Sequence, residues 1–280
     1  MELQKTTLIR QVAAIYEFAF DHKRGGCLYF KECNLSVRHT VITQEGIINL
    51  AFKGDACMRK TIQSELKKCI EDHRLWLVSH GKQGHRAVLN GFDLSDLDLQ
   101  GVKFEGADLQ GANMTRTQLR AADLSGAELA GCCLENAGLQ WANLAGANMS
   151  GASMVGAQLQ FTNFSGAVLT SASFENARLH NSWLWRSVGT RTDFTRASFN
   201  FTSFSSAMLQ KARFEAAVFR NTAFDDAKLE ACNFSNASIA LCTMTGTRFS
   251  QCDFSGADLD QAYLPIVEHG NASGRVNIQF

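Results

Sequence analysis

The sequence predicts a mainly β solenoid of stacked five-residue units, preceded by a small α+β segment. Two observations carry that prediction. From Leu89 in steps of five, every position to Leu264 is Leu, Phe, Met or Ile, with Gly189 the one exception. Two residues ahead of each runs a second series, which from Ala107 to Ala262 holds only Ala, Cys, Ser or Thr. Proline use agrees: Pro265 is the sole proline, where an ordinary fold rich in loops uses about 5%.

Residues 1–85 lack the period and read as an α+β cap. Leu8, Val12, Ile15 and Ala19 share one helical face over 7–20, and Gly25-Gly26 ends that element. Residues 37–43 and 47–53 are strand-like and joined by a turn at Gln44-Glu45-Gly46. Asp55 is placed to cap a helix over about 56–79, with Ile62, Leu66, Ile70 and Leu77 on one stripe. The open end of a stack of strands exposes unpaired edges, so a solenoid needs such a cap.

In the repeat, over 86–264, strand alternation points the large residue and the small one two earlier inward. The residue before the large one and the two after it face out. One unit cannot bury its own apolar face, so units must stack. Gly-Ala-Asp-Leu-Gln (106–110), Ala-Ala-Asp-Leu-Ser (121–125) and Gly-Ala-Asp-Leu-Asp (256–260) resemble the pentapeptide repeat family, over about two thirds of the chain. The resemblance implies a right-handed quadrilateral β-helix with four units per coil, hence about nine coils here. Residues twenty apart should then lie over one another. Phe174, Phe194, Phe214, Phe234 and Phe254 would form one inner column. Thr162, Ser182, Thr202 and Thr222 would form another, its hydroxyls bonding along the stack. The tail, 265–280, leaves the period and could fold over the last coil. Members of the resembling family also dimerise through their C-terminal coils, which leaves a homodimer open.

Charge says little about partners. Residues 1–90 carry fourteen basic against nine acidic residues, and 91–280 thirteen against eighteen. Neither imbalance implies direct nucleic-acid or membrane binding. No stretch approaches 18 apolar residues. Nine cysteines without a CxxC pair, and a start without a secretion signal, lead us to expect free thiols in the cytoplasm. Cys132, Cys232 and Cys252 read as small core fillers. His73, His80 and His85, with Glu71 and Asp72, read as a solvated helix end rather than a metal site. No nucleophile elbow, P-loop or dinucleotide fingerprint occurs. We therefore expect neither an enzyme nor a cofactor.

Outward positions carry the candidate site. Trp141, Phe161, Phe201 and Leu241 share one column at the first position of their units, interrupted by Asn181 and Asn221. Trp183 and Trp185 are also outward. Exposed apolar clusters mark interaction patches, and Trp is enriched at hot spots. Arg186, Arg191 and Arg196 fall at successive corners of one coil, with Lys211 a coil above Arg191 and Arg178, Arg213 and Arg220 nearby. Gly189, in that coil, should leave a dent or loop in the wall. The leading expectation is a protein-binding scaffold. The resemblance also brings in a DNA mimic that protects a type II topoisomerase, for which Asp93, Asp96, Asp98, Glu105 and Asp108 are the only dense acidic run, and a secreted bacterial effector.

Overall fold

A computed structural model describes residues 19–20, 28–29, 39–43, 46–50 and 56–259. The chain divides into two compact units, Met1–Glu65 and Leu66–Phe280.

In the first unit, β1 (Ala19–Phe20) pairs antiparallel with β2 (Leu28–Tyr29). The helix expected over 7–20 is thus corrected at its end, where Ala19 is in a strand; residues 7–18 lie outside the described residues. The expected hairpin is present as β3 (His39–Thr43) and β4 (Gly46–Leu50), with Val41 opposite Ile48. Gly46 belongs to the strand rather than to the turn, because Thr43 pairs with Gly46. Asp55 and the tail 265–280 also lie outside the described residues.

Helix α1 (Ala56–Val78) agrees with the expected span. Its last turn closes by Gly81 N donating to Trp76 O at 2.8 Å and His80 N to Leu77 O at 3.2 Å, the paired bonds of a Schellman motif. His80 takes the left-handed position (φ 52°) usually given to glycine. The half-helix from Leu66 onward belongs to the unit that holds the repeat. Leu66 and His73 are buried, seven residues apart on one face. Among the coils the ring of His73 lies 6.2 Å from Phe104, and on the helix it stacks on Trp76 at 5.5 Å. Ala87 N donates to His73 Nδ1 at 3.0 Å. The expectation of a solvated helix end therefore fails for His73, which docks the helix on the first coil. A bond accepted at Nδ1 fixes the proton on Nε2, and burial holds the imidazole below its ordinary pKa.

From Val88 to Asp258 the second unit is a mainly β solenoid. Parallel bridges join the residue before each large inward one to its counterpart twenty further on, along four ladders that include Val88–Asp108, Asp93–Asn113, Asp98–Gln118 and Lys103–Asp123. Toward the C-terminal side the bridges lengthen into strands on two faces. One sheet holds β5 (Val188–Thr190), β7 (Met208–Gln210), β9 (Lys228–Glu230) and β11 (Arg248–Ser250). The other holds β6 (Ser198–Asn200), β8 (Val218–Arg220) and β10 (Ser238–Ala240).

Units end in turns of two kinds, both with a left-handed third residue: open ones after β5 to β11, and elsewhere ones closed by a backbone hydrogen bond. Ala107 N donates to Phe104 O at 3.0 Å, and Gly106, third in that turn, has φ 65°. A type II turn requires a left-handed residue there, and glycine adopts it at no steric cost.

The core is the two inward series. The column Phe174–Phe194–Phe214–Phe234–Phe254 stacks at successive ring separations of 4.8, 5.0, 4.6 and 4.8 Å. Phe199–Phe219 and Phe204–Phe224 form shorter stacks at 4.8 and 5.1 Å, set edge-on to the first column. Backbone pairing spaces strands about 4.8 Å apart, and flat rings fill that interval with little void. The inner hydroxyls bond along the stack, as expected. Thr162 donates to Leu139 O at 2.8 Å, Ser182 to Leu159 O at 2.5 Å, and Thr202 to Leu179 O. Each reaches a backbone carbonyl of the coil below rather than the next hydroxyl, taking up the lone pair that the turn leaves open.

Candidate protein-binding face

Every unit presents its first residue at a left-handed corner. Where that residue is not glycine, an L side chain is held there at a cost of about 1–2 kcal/mol. Trp141 (φ 66°), Phe161 (φ 59°), Phe201 (φ 54°) and Leu241 (φ 56°) all sit so. Trp141, Phe201 and Leu241 are 53%, 60% and 47% exposed. Trp141 and Phe161 lie face to face, ring centres 3.9 Å apart and 1° from parallel. These residues share one corner column, since the ladders repeat every twenty residues. Asn181 and Asn221 occupy the same column in the same left-handed conformation.

On the adjoining face Trp183 bridges Asn163 below and Ser203 above, so a large ring stands among small neighbours. It is 47% exposed, and Trp185 42%. The guanidinium of Arg186 lies 4.1 Å from the centre of the Trp185 ring, within cation–π range.

The cations divide into two groups. Arg213 reaches Asp193 at 3.2 Å and Glu215 at 3.3 Å, and Arg196 reaches Glu175 at 3.5 Å. Arg178 lies on the ladder between Gln158 and Ser198, where it and, more strongly, burial lower the pKa of His180. Arg186, Arg191 and Lys211 make no ion pair among the described residues; all three are at left-handed corners, with φ 55°, 58° and 54°. Among the described residues Arg178 and Arg220 likewise make no ion pair, so only Arg196 and Arg213 are set apart from the basic cluster.

Gly189 leaves no dent. It pairs in register with Leu209 inside β5. A Cβ there would collide with Thr192 Oγ1 and come within 3.4 Å of Leu169 and Leu209 side-chain atoms. Neighbours already fill the space, and Thr192 donates to Leu169 O at 2.9 Å.

Sequence reasoning missed one surface. The ladder through Val168, Val188 and Met208 forms an apolar stripe on the face next to Trp183, with Met208 48% exposed. The signal was present as three outward apolar residues twenty apart, but they lie among polar neighbours in the linear chain.

The acidic run is largely engaged. Arg116 grips Asp96 with two bonds of 2.7 Å. Asp93 accepts from Ser95 and Asn113, and Asp108 from Asn90. Asp72 meets His85 at 2.8 Å, and Glu71 meets Arg74 at 2.6 Å. Among the described residues, no group of His, Cys, Asp and Glu is arranged to hold a metal. None of their helices is long and apolar enough to cross a membrane.

A unit of five, four ladders and a left-handed corner at each turn define a class of protein, the repetitive β solenoids. The chain belongs to the pentapeptide repeat family, whose model matches residues 85–116, 103–137, 132–170, 172–207, 197–236 and 232–264. Among solved structures it is similar to HetL, a pentapeptide repeat protein involved in heterocyst differentiation regulation from the cyanobacterium Nostoc sp. strain PCC 7120. The identity is 24% over 67% of this chain and 92% of that one, with a TM-score of 0.28. It is also similar to alr5209, a pentapeptide repeat protein from Nostoc, at 29% identity over 38% of this chain and 71% of that one, TM-score 0.20. A third is QnrB1, a plasmid-mediated fluoroquinolone resistance protein, at 16% identity over 62% and 84%, TM-score 0.26. No curated protein matches the sequence.

Proposed function

We infer that this chain is a non-catalytic scaffold that binds a partner protein through the aromatic corner column and the adjoining tryptophan face. One observation carries the reading: Trp141, Phe161 and Phe201 occupy corners where glycine would cost nothing, and Trp141 and Phe201 leave more than half their surface in water. Neither folding nor solubility accounts for that choice. Left-handed non-glycine corners recur along the chain; what sets these apart is the large exposed ring, a side chain enriched at binding hot spots. A stack fixed by backbone ladders presents its surface with little ordering cost on docking.

A topoisomerase-protecting DNA mimic would need a continuous negative face. Here the acidic residues Asp96 and Asp193 are paired with arginines, and Arg186, Arg191 and Lys211 interrupt the surface. The unbroken register from Val88 to Asp258 leaves no projecting loop there. The scaffold reading is the better supported.

The test is affinity capture from extract of the producing organism, comparing wild type with Trp183→Ala plus Trp185→Ala. The variant should lose the captured partner. Identical capture by both would remove the tryptophan face from the reading.

A further inference from the structure

We propose that the occupant of this surface is an acidic, apolar-containing segment of a partner protein, seated on the Val168–Val188–Met208 stripe. The proposal rests on the protein-binding reading above and names the partner's chemistry.

The stripe spans three successive coils of one face. Its apolar residues are flanked along one edge by Ser165-Gly166, Trp185-Arg186 and Ser205-Ser206. Along the other edge lie Thr170-Ser171, Thr190-Arg191 and Gln210-Lys211. Three of these flanking residues are cations and none is a carboxylate. On the neighbouring face Asp193 and Glu215 are engaged by Arg213, and Glu175 by Arg196; the first carboxylates beyond the stripe, Asp225, Asp226 and Glu230, belong to the next coil, where Lys228 follows Met208 on the ladder. Arg186, Arg191 and Lys211 are thus left to face whatever lies over the stripe.

The same corners in lower coils carry no charge. Gly166 stands one coil below Arg186; Ser171 stands one coil and Gly151 two coils below Arg191, all left-handed and none charged. Cations have been placed where glycine is cheaper, on both rims of an apolar strip. The Arg186 guanidinium lies over the Trp185 ring and makes no ion pair among the described residues, so its N–H groups remain to receive a carboxylate. Complementary charge at such rims selects partners and speeds encounter, and the apolar centre supplies contact area. An apolar occupant without acid would leave three cations facing its edges, and a basic one would be repelled.

The probe is a fluorescein-labelled peptide of repeated Glu-Glu-Leu-Glu units, with a Lys-Lys-Leu-Lys counterpart, titrated by anisotropy at physiological ionic strength. Wild type should bind the acidic peptide and prefer it to the basic one. The triple variant Arg186→Glu, Arg191→Glu, Lys211→Glu should weaken binding by about tenfold or more, whereas Arg120→Glu, remote from the stripe, should not. A second triple, to glycine at the same positions, removes the charges while relieving the left-handed backbone, and should weaken binding too. The proposal is overturned if wild type fails to bind the acidic peptide or either triple binds it as wild type does. Tighter binding of duplex DNA or of phosphatidylserine vesicles than of the peptide overturns it as well. In the affinity capture above, partners lost by the tryptophan variant but retained by the triples would remove the acidic occupant and leave the protein-binding reading standing.

Discussion

The phenyl column offers a direct measure of how much the inner stack contributes. Phe214 has no exposed surface. It stacks on Phe194 at 5.0 Å and 4° and on Phe234 at 4.6 Å and 14°, and meets Phe199, Phe204 and Phe219 more steeply. Truncation to alanine in a core costs about 3–5 kcal/mol. Each aromatic pair adds about 0.5–1.5 kcal/mol beyond buried area. Two parallel stacks place Phe214→Ala near the top of that range, at about 4–5 kcal/mol. Backbone ladders above and below prevent the coils from collapsing into the gap, so little is recovered by relaxation. Phe214→Leu keeps much of the volume and loses the stacking, and should cost about 1–2 kcal/mol. Urea unfolding followed by circular dichroism and by tryptophan fluorescence measures both. Stacked units interact mainly with neighbours, so coincidence of the two signals shows whether the loss is shared along the stack. An alanine loss below about 2 kcal/mol, or equal losses for leucine and alanine, would refute the reasoning.

Three further outcomes are expected. Gly84→Ala should destabilise by more than about 2 kcal/mol in thermal melts, because a Cβ would strike Asp72 O and Trp76 N at φ +71°. Burial lowers the His73 pKa, so the unfolded chain takes up the proton first. Stability should therefore be full above the ordinary value of 6.5, fall as pH drops below it, and level off once the folded imidazole is also protonated. Urea midpoints between pH 7.5 and 5 should show this in a His180→Gln background, and His73→Leu should flatten the profile. Burial, with Cys133 beside it, pushes the Cys132 thiol up to about 12. A thiol reagent at about pH 8 should modify it only after unfolding, as peptide mapping of the labelled protein would show.

The repeat was legible because its two inward series mark position directly: the Phe174-to-Phe254 column follows from counting in twenties. Helix α1 was legible from the stripe through Leu66 and Ile70. His73 was not, since a polar residue on a helix says nothing of which face meets a neighbour; only Ala87 N and Phe104 fix its place. The hydroxyls of Thr162 and Ser182 were located correctly and bond along the stack, but their acceptors, Leu139 O and Leu159 O, were not legible, because the spare lone pair of a turn carbonyl is a property of the backbone. Gly189 misled for a related reason. A missing side chain implies space only when neighbours hold still, and Leu169, Leu209 and Thr192 close in. Among the site residues, the exposed aromatics could be named from position alone. Which arginines lack an acidic partner depends on register across coils, and so separated Arg213 from Arg191 only in three dimensions.

The left-handed corners separate two kinds of change in this chain. A corner side chain points away from the packed interior, so replacing it alters the outer surface while Leu, Phe and Ala within keep their places. The backbone cost of each replacement is local, and side-chain effects reach only adjoining coils, as in the Trp141–Phe161 stack and the Arg116–Asp96 pair. If the proposed binding reading holds, corner substitutions exchange one partner for another, and move a recognition feature along the stack in steps of one coil, without redesigning what holds it together.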